Sequence, residues 1–257
     1  PIISKHKRLE GLFCIKEQRK KANNKKISNH AFILAGGLGT RLGELTKNMP
    51  KPMINIGSKP MLEIIIEQLK EIGITHIHIS VNYLKEQIID YFGDGTDMGV
   101  RIEYIEEDKK LGTAGSLALL KHKSKYPMIV MNGDVLTNMD LKQSLDIHNK
   151  HRASVTIMTR KQFITIPYGV LESDENGQVS EINEKPKIAI DIAAGIYILN
   201  TDTINAIKKG EALDMPDLIK RLLFNNHKIM KCDIREYWID IGRPETLSEA
   251  RNSWTNK

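Results

Sequence analysis

The sequence has few of the features that mark disulfide-stabilised, zinc-finger or membrane-spanning proteins. Only two of its 257 residues are cysteines, Cys14 and Cys232, and they lie far apart in apolar stretches. Nothing in this spacing indicates a disulfide framework or a CxxC metal site, so we expect a reducing, cytoplasmic location. No apolar run approaches the roughly 20 residues that a membrane-spanning helix needs, and we expect no membrane partner.

The net charge of +6 raises the question of nucleic-acid binding. Residues 1–30 contain nine Lys or Arg against two Glu, whereas residues 31–257 contain 29 basic and 30 acidic residues. The excess of positive charge therefore belongs to one short segment, where basic runs are usually solvated linkers. We expect no nucleic-acid partner, because the body of the chain carries no basic footprint.

The pattern of apolar residues divides the chain into three parts. Residues 1–15 are typical of a strand, a turn and a second strand. Residues 16–30 are polar and basic, with too few apolar residues to pack, and are interpreted as a linker. From residue 31 to 257 strands alternate with helices, which predicts an α/β domain with a mostly parallel, Rossmann-like sheet flanked by helices.

Within the third part, periodicity predicts individual elements. The predicted strands are 31–35, 76–81, 101–104, 128–131, 154–159 and 195–199. The predicted helices are 61–72, 84–91, 116–122, 141–150, 215–224 and 244–252. Residues 170–171 and 178–182 flank an Asp-Glu-Asn-Gly turn and predict a hairpin.

A glycine-rich loop, Gly36-Gly37-Leu38-Gly39-Thr40-Arg41, follows the first predicted strand. Glycines let the backbone approach a phosphate, and Arg41 adds a guanidinium group suited to phosphate oxygens. The loop lacks the Gly-Lys-Ser/Thr of a P-loop. It also lacks the third glycine of a dinucleotide-binding fingerprint, where Leu42 stands instead. The spacing thus indicates an anion site outside those two classes.

The loop, extended to residues 34–42, resembles the opening motif of the sugar-1-phosphate nucleotidylyltransferase (NTP transferase) family. Further segments resemble family motifs in the same order: Pro50-Lys51-Pro52-Met53, Leu111-Gly112-Thr113-Ala114-Gly115, Asn132-Gly133-Asp134, Tyr168-Gly169-Val170, Glu184-Lys185-Pro186, Ala194-Gly195-Ile196-Tyr197 and Trp238-Ile239-Asp240-Ile241-Gly242. The resemblance covers residues 31–257 and implies the nucleotide-diphospho-sugar transferase type of fold. The chain departs from the family at Gly43-Glu44, where Arg-Pro is usual, and at Ala193, where many members have Asn.

The resemblance implies in-line attack of a sugar-1-phosphate on the α-phosphorus of a nucleoside triphosphate, with release of pyrophosphate. The nucleophile is already an anion, so positioning and positive charge matter more than a general base. The implied catalytic residues are Arg41, Lys51, Asp134 and Asp240. Asp134 and Asp240 would hold Mg²⁺, although either Asp alone could simply cap a turn.

The resemblance also implies two sets of binding residues. The nucleotide-binding set is Leu34, Ala35, Gly36, Gly37, Gly39, Thr40, Arg41, Lys51, Glu107, Gly112, Thr113 and Ala114. The sugar-phosphate set is Gly169, Glu184, Lys185 and Gly195. Glu107 stands where relatives that transfer uridylyl or thymidylyl groups tend to have Gln, and a carboxylate complements the two adjacent donors of guanine. GTP is therefore expected, although the neighbouring Glu106 and Asp108 leave the alignment of this position open.

Residues 1–15 resemble the closing hairpin of a CBS domain. The interpretation is that the natural chain begins with CBS domains that are missing here. Guanylyltransferases fused to CBS domains occur in legionaminic acid biosynthesis and act on glucosamine-1-phosphate, which makes this sugar an expectation. A uridylyl- or thymidylyl-transferring enzyme and a non-catalytic regulatory relative are the alternatives, and a homo-oligomer is an open expectation.

His76 and His78 alternate along a predicted strand. A two-residue HxH pattern with no third ligand nearby in sequence is interpreted as structural.

Overall fold

The computed structural model describes residues 2–3, 9–11, 26–122 and 124–254. At the start of the chain, strand Ile2–Ile3 pairs antiparallel with strand Leu9–Gly11, in the predicted order. The turn predicted between them, residues 12–15 of the predicted second strand and residues 16–25 of the predicted linker lie outside the described residues.

A seven-stranded sheet forms the centre of the fold. Its strands in chain order are β1 (Ile27–Leu34), β2 (Ile74–Val81), β3 (Arg101–Glu106), β4 (Met128–Asn132), β5 (Val155–Thr165), β6 (Lys187–Leu199) and β7 (Ile229–Asp233). They lie in the order β7-β5-β6-β4-β1-β2-β3. Strand β6 runs antiparallel to β5 and β4, and the other neighbours pair parallel. The predicted mostly parallel α/β sheet is confirmed.

The central strands are buried on both faces, as their Ile- and Val-rich sequences predict. In β1, Ile33 packs into one hydrophobic cluster and Phe32 into a second cluster on the opposite face, and both are fully buried. Strand β1 begins at Ile27, so residues 27–30 belong to the sheet and not to the predicted linker. The physical reason is pairing with β2, since the Ile27 N–H donates to the Gly73 carbonyl at 2.9 Å.

Helices cover the faces of the sheet. The α-helices are Met61–Glu71, Lys85–Phe92, Gly112–Gly115, Leu141–His151, Met215–Phe224 and Pro244–Ser253. The 3-10 helices are Thr40–Thr46, Lys51–Met53, Thr96–Met98, Ser116–Leu119 and Thr201–Ala206. Within the described part of the chain, no helix has the length and apolar character needed to cross a membrane.

The helix predicted at 116–122 is wrong in type and position. The chain forms a short α-helix, Gly112–Gly115, followed by a 3-10 helix that ends at Leu119. The backbone N–H groups of Ala114 and Gly115 both donate to the Leu213 carbonyl. This contact with a distant segment starts the helical turn earlier than local periodicity indicates.

Three short antiparallel ladders extend the architecture. Strands Asn55–Ile56 and Lys59–Pro60 form one, and Val135–Thr137 pairs with Trp238–Asp240 in the second. The predicted hairpin is the third, with strands Gly169–Ser173 and Val179–Glu184. Strands β5 and β6 are longer than predicted, and their far halves carry this hairpin away from the core as an arm with largely exposed side chains.

Candidate active site

The candidate site lies where the strand order reverses. Strands β1 and β4 are neighbours in the sheet, and Leu34 pairs with Asn132 at their carboxyl ends. The Gly133 N–H donates to the Leu34 carbonyl at 2.8 Å. A Cβ on Gly133 would come within 2.9 Å of that carbonyl oxygen, so the approach requires glycine. Ligands of open α/β sheets bind in the crevice at such a point.

A cavity of about 500 Å³ opens at this edge of the sheet. It is lined by Leu34, Gly36, Gly37, Leu38, Gly39, Thr40, Arg41, Lys51, Ser80, Asn82, Glu107, Lys110, Gly112, Thr113, Asn132, Asp134, Asp240 and Gly242. The tertiary structure therefore brings together the four residues implied in catalysis and ten of the twelve implied in nucleotide binding. Ala35 and Ala114 are buried behind the cavity wall instead.

The glycine loop forms part of the wall of this cavity. Gly39 has a left-handed φ of 66°, and a Cβ there would lie 2.9 Å from Thr46 Cγ2. The Thr46 hydroxyl donates to the Gly39 carbonyl at 3.0 Å, which holds the loop against the following 3-10 helix. Gly37 has open space beside it. The loop thus presents backbone and the Arg41 side chain to the cavity, an arrangement suited to phosphate.

The two aspartates meet through one of the short ladders. Asp134 follows β4, and Asp240 ends strand Trp238–Asp240, where it pairs with Val135. The Ile241 N–H donates to the Asp134 carbonyl at 2.9 Å. This ladder places side by side two carboxylates that are distant in sequence.

The two carboxylates offer unsatisfied oxygens to a bound cation. Asp134 Oδ1 and Asp240 Oδ1 are buried and have no hydrogen-bond partner among the described residues. Burial, then the charge of Asp134, raises the pKa of Asp240, while Lys51 and Arg41 oppose that rise. Lys51, almost fully buried, pairs with Asp134 Oδ2. Two buried, unsatisfied carboxylate oxygens are the ligands that a hard divalent cation requires, so the residues fit a metal.

Glu107 lies against the inner wall of the cavity. Its Oε1 accepts from the Ser80 hydroxyl at 2.8 Å, and its Oε2 accepts from the Leu111 N–H at 3.2 Å. Glu106 and Asp108, the alternatives left open by the sequence, are exposed and do not line the cavity. Of these three neighbouring acids, Glu107 alone lines the cavity.

The predicted sugar-phosphate residues are divided. Gly169, Glu184 and Lys185 lie on the exposed hairpin arm and not in the cavity, with the Glu184 and Lys185 side chains 69% and 64% exposed. Gly195 lies behind the cavity wall, where a Cβ would come 2.7 Å from the Asn132 amide. The arm extends beyond the two hydrophobic clusters, so core packing does not draw it toward the cavity.

Sequence reasoning missed several lining residues, among them Ser80, Asn82 and Lys110. Ser80 and Asn82 stand at the carboxyl end of β2, which pairs parallel with β1. The signal was available, because parallel strands share the edge at which ligands bind. Lys110 follows the acidic segment after β3 and had no distinguishing local pattern.

Comparison with known proteins agrees with this geometry. A probable mannose-1-phosphate guanylyltransferase of Oryza sativa subsp. japonica is 35% identical over 222 residues, covering 83% of this chain and 61% of that protein. A UTP–glucose-1-phosphate uridylyltransferase of Synechocystis is 34% identical over 232 residues, covering 83% and 60%. The crystal structure of HddC from Yersinia pseudotuberculosis complexed with GMP-PN aligns with a TM-score of 0.67 and 27% identity, covering 88% of this chain and all of that one.

The chain spans about three fifths of the length of these curated relatives. The family model described as nucleotidyl transferase matches residues 30–257, which is nearly the whole described α/β unit. Because that match and the relatives agree with the loop, the paired aspartates and the sheet order, the chain belongs to the sugar-1-phosphate nucleotidyltransferase family.

Proposed function

We propose that the chain transfers a nucleoside monophosphate, GMP from GTP, to a sugar-1-phosphate and releases pyrophosphate. The observation that carries this proposal is the pair of buried, unpartnered carboxylate oxygens of Asp134 and Asp240. They face the cavity that the glycine loop, Arg41 and Lys51 also line.

The chemistry requires positive charge more than a base. The attacking sugar phosphate and the triphosphate are both polyanions, and the departing pyrophosphate gains negative charge. Arg41 at the glycine loop would hold the departing pyrophosphate, and its planar guanidinium suits phosphate oxygens. Lys51 would hold the α- and β-phosphates after exchanging part of its contact with Asp134.

Enzymes of this family generally use a divalent metal, and we propose that it is Mg²⁺ here. Asp134 and Asp240 would hold the ion, because both offer a carboxylate oxygen without another partner. Mg²⁺ bound there would supply a positive charge that stabilises the charge developing on the phosphates. The raised pKa of Asp240 fits this assignment, since burial first and the charge of Asp134 second disfavour its ionised form, and a bound cation would offset both.

The choice of guanine rests on Glu107. A carboxylate only accepts hydrogen bonds, and guanine presents two adjacent donors, N1–H and the 2-amino group. Each Glu107 oxygen accepts one protein hydrogen bond and keeps a lone pair for a ligand. The relative from rice is named a probable guanylyltransferase and HddC was crystallised with GMP-PN, whereas the Synechocystis relative is named a uridylyltransferase that takes UTP. Uridylyl or thymidylyl transfer is therefore the second candidate.

For the sugar we propose glucosamine-1-phosphate, with Gly169, Glu184, Lys185 and Gly195 in its binding. The resemblance to the legionaminic acid enzymes is its support. Glu184 and Lys185 would reach the sugar phosphate only if the hairpin arm approaches the cavity. Missing N-terminal CBS domains, a homo-oligomer, a cytoplasmic location and the absence of a nucleic-acid partner stay predictions from the sequence.

The test is pyrophosphate release with Mg²⁺, crossing GTP, CTP, UTP and dTTP with glucosamine-, N-acetylglucosamine-, mannose- and glucose-1-phosphate. We expect release with GTP and glucosamine-1-phosphate, complete dependence on Mg²⁺, and loss in Asp134→Asn. Asp97→Asn is the matched control, because Asp97 is exposed and lies outside the cavity. Release with UTP or dTTP alone would contradict the guanine assignment. If the folded protein releases no pyrophosphate with any of these substrate pairs, the result would instead favour a non-catalytic relative.

A further inference from the structure

Three histidines meet on one face of the sheet, away from the candidate active site. His30 on β1 pairs with His76 on β2, and His78 on β2 pairs with Glu103 on β3. Side chains two residues apart on a strand share a face, so all three rings lie in one patch. The His30 and His76 ring centroids are 3.9 Å apart, and those of His76 and His78 are 4.8 Å apart.

The ring nitrogens converge as metal ligands do. One nitrogen from each of the three rings lies within 4.8 Å of the others. His30 Nδ1 and His78 Nε2 are hydrogen-bonded to each other at 3.1 Å, and a bound metal would replace this hydrogen bond. Two nitrogens on a tetrahedral zinc ion, each bound at about 2.0–2.1 Å, lie about 3.3 Å apart. A small movement of one ring would therefore admit the ion between them.

A carboxylate stands behind the rings. Glu103 Oε1 lies 3.1 Å from His76 Nε2, and Oε2 lies 3.4 Å from His78 Nδ1. Both nitrogens are buried, and neither makes a hydrogen bond of good geometry. Arg101 donates to Glu103 at 2.5 Å and so holds it from the solvent side. In metal sites a carboxylate beside the outer nitrogen accepts the ring N–H and so orients the ring, and Glu103 is within reach of that role for His76 and His78.

The surroundings of the His78 and His30 rings also favour their neutral forms. Burial, then the charge of His76, lowers the pKa of His78 to about 4. The same two causes, in the same order, lower the pKa of His30. Neutral imidazoles are the form that binds metal, so these rings need not lose protons at neutral pH.

We propose that His30, His76 and His78 bind a late first-row divalent cation, Zn²⁺ in the first place, with Glu103 as the carboxylate behind two of the ligands. Imidazole nitrogen suits Zn²⁺ and its neighbours, whereas Mg²⁺ prefers oxygen. The site is separate from the aspartate pair, because His30 precedes the cavity-lining Leu34 by four residues, or about 13 Å of strand. It would tie β1 to β2 and leave a position for water, since His76 is partly exposed.

The test is calorimetric titration of Zn²⁺ into the chain without an added histidine tag, stripped of metal and kept in excess Mg²⁺. We expect one Zn²⁺ per chain. His30→Gln and His76→Gln should each weaken binding at least tenfold, as should the removal of any ligand of such a site. His151→Gln, at an exposed histidine outside the cluster, and Asp134→Asn should leave the affinity unchanged.

Two further readouts keep the result independent of folding defects and of enzymatic activity. Zinc at about 100 times its dissociation constant should raise Tm by about 5–10 °C, and at the same zinc concentration His76→Gln, at a partly exposed ring, should reduce that shift by about half or more. Co²⁺ should give the strong visible absorption of a tetrahedral nitrogen site. Absence of stoichiometric binding, unchanged affinity in both histidine variants, or loss of the site in Asp134→Asn would overturn the proposal.

Discussion

Glu107→Gln tests whether one carboxylate selects the base. In the variant, the amide oxygen must stay on the Leu111 N–H, because that backbone donor is fixed. The new NH₂ group then faces Ser80, whose hydroxyl can turn to accept. Toward guanine the variant presents one donor where an acceptor stood, so a charge-assisted hydrogen bond is lost and two donors oppose each other.

The expected magnitude follows from that loss. Hydrogen bonds to charged groups contribute about 1.5–3 kcal/mol, and 1.4 kcal/mol corresponds to a factor of ten. We therefore expect kcat/KM for GTP to fall about 10- to 100-fold in Glu107→Gln. For UTP and dTTP we expect no fall, because an amide can both donate to and accept from a pyrimidine edge.

The assay is pyrophosphate release at fixed sugar-1-phosphate, with each nucleotide varied below saturation. Glu106→Gln and Asp108→Asn remove the same charge from exposed neighbours and should behave like the parent chain. An equal fall of kcat/KM for GTP in these controls would show that nearby negative charge matters and a direct contact of Glu107 with the base does not. An unchanged ratio of GTP to UTP in Glu107→Gln would refute the assignment of Glu107 to the base.

Three further predictions concern the metal pair, the cavity wall and the core. Asp240→Asn should abolish activity yet raise the free energy of unfolding of the metal-free protein, measured by urea denaturation with EDTA, because burial and then the charge of Asp134 disfavour the ionised carboxylate. The raised pKa of Asp240 penalises folding above that pKa, so the gain should vanish as pH falls through the ordinary carboxyl range, and a pH-independent gain would contradict it. Gly195→Ala should lower Tm, because a φ of 71° strains alanine by about 1–3 kcal/mol. It should also lower kcat/KM, because the new Cβ would displace the Asn132 amide, and normal kinetics would show that Asn132 is not needed. Leu218→Ala should destabilise the protein by about 2–5 kcal/mol in chemical denaturation while the folded fraction keeps its kcat, because Leu218 is fully buried in the second hydrophobic cluster and does not line the cavity.

Local sequence was sufficient where neighbouring residues decide the conformation. Helix Met215–Phe224 has the predicted bounds, because its apolar periodicity and the proline in its first turn are local signals. The glycine loop and Asp134 were also found, since each directly follows a buried strand. The sequence by itself thus determined the order of most strands and helices, the anion-binding loop and the family.

Only the tertiary structure decided which distant residues meet. The ladder between Val135–Thr137 and Trp238–Asp240 brings the Asp134 and Asp240 side chains together. In the sequence, only the family resemblance connects these two residues. The contact of Gly115 with Leu213 moved a helix, and the register of β1 on β2 brought His30 to a histidine pair that looks isolated in the sequence. Sequence periodicity reports which face of an element is apolar, but strand order and register depend on packing summed over the whole chain, and these set the distances between chemical groups.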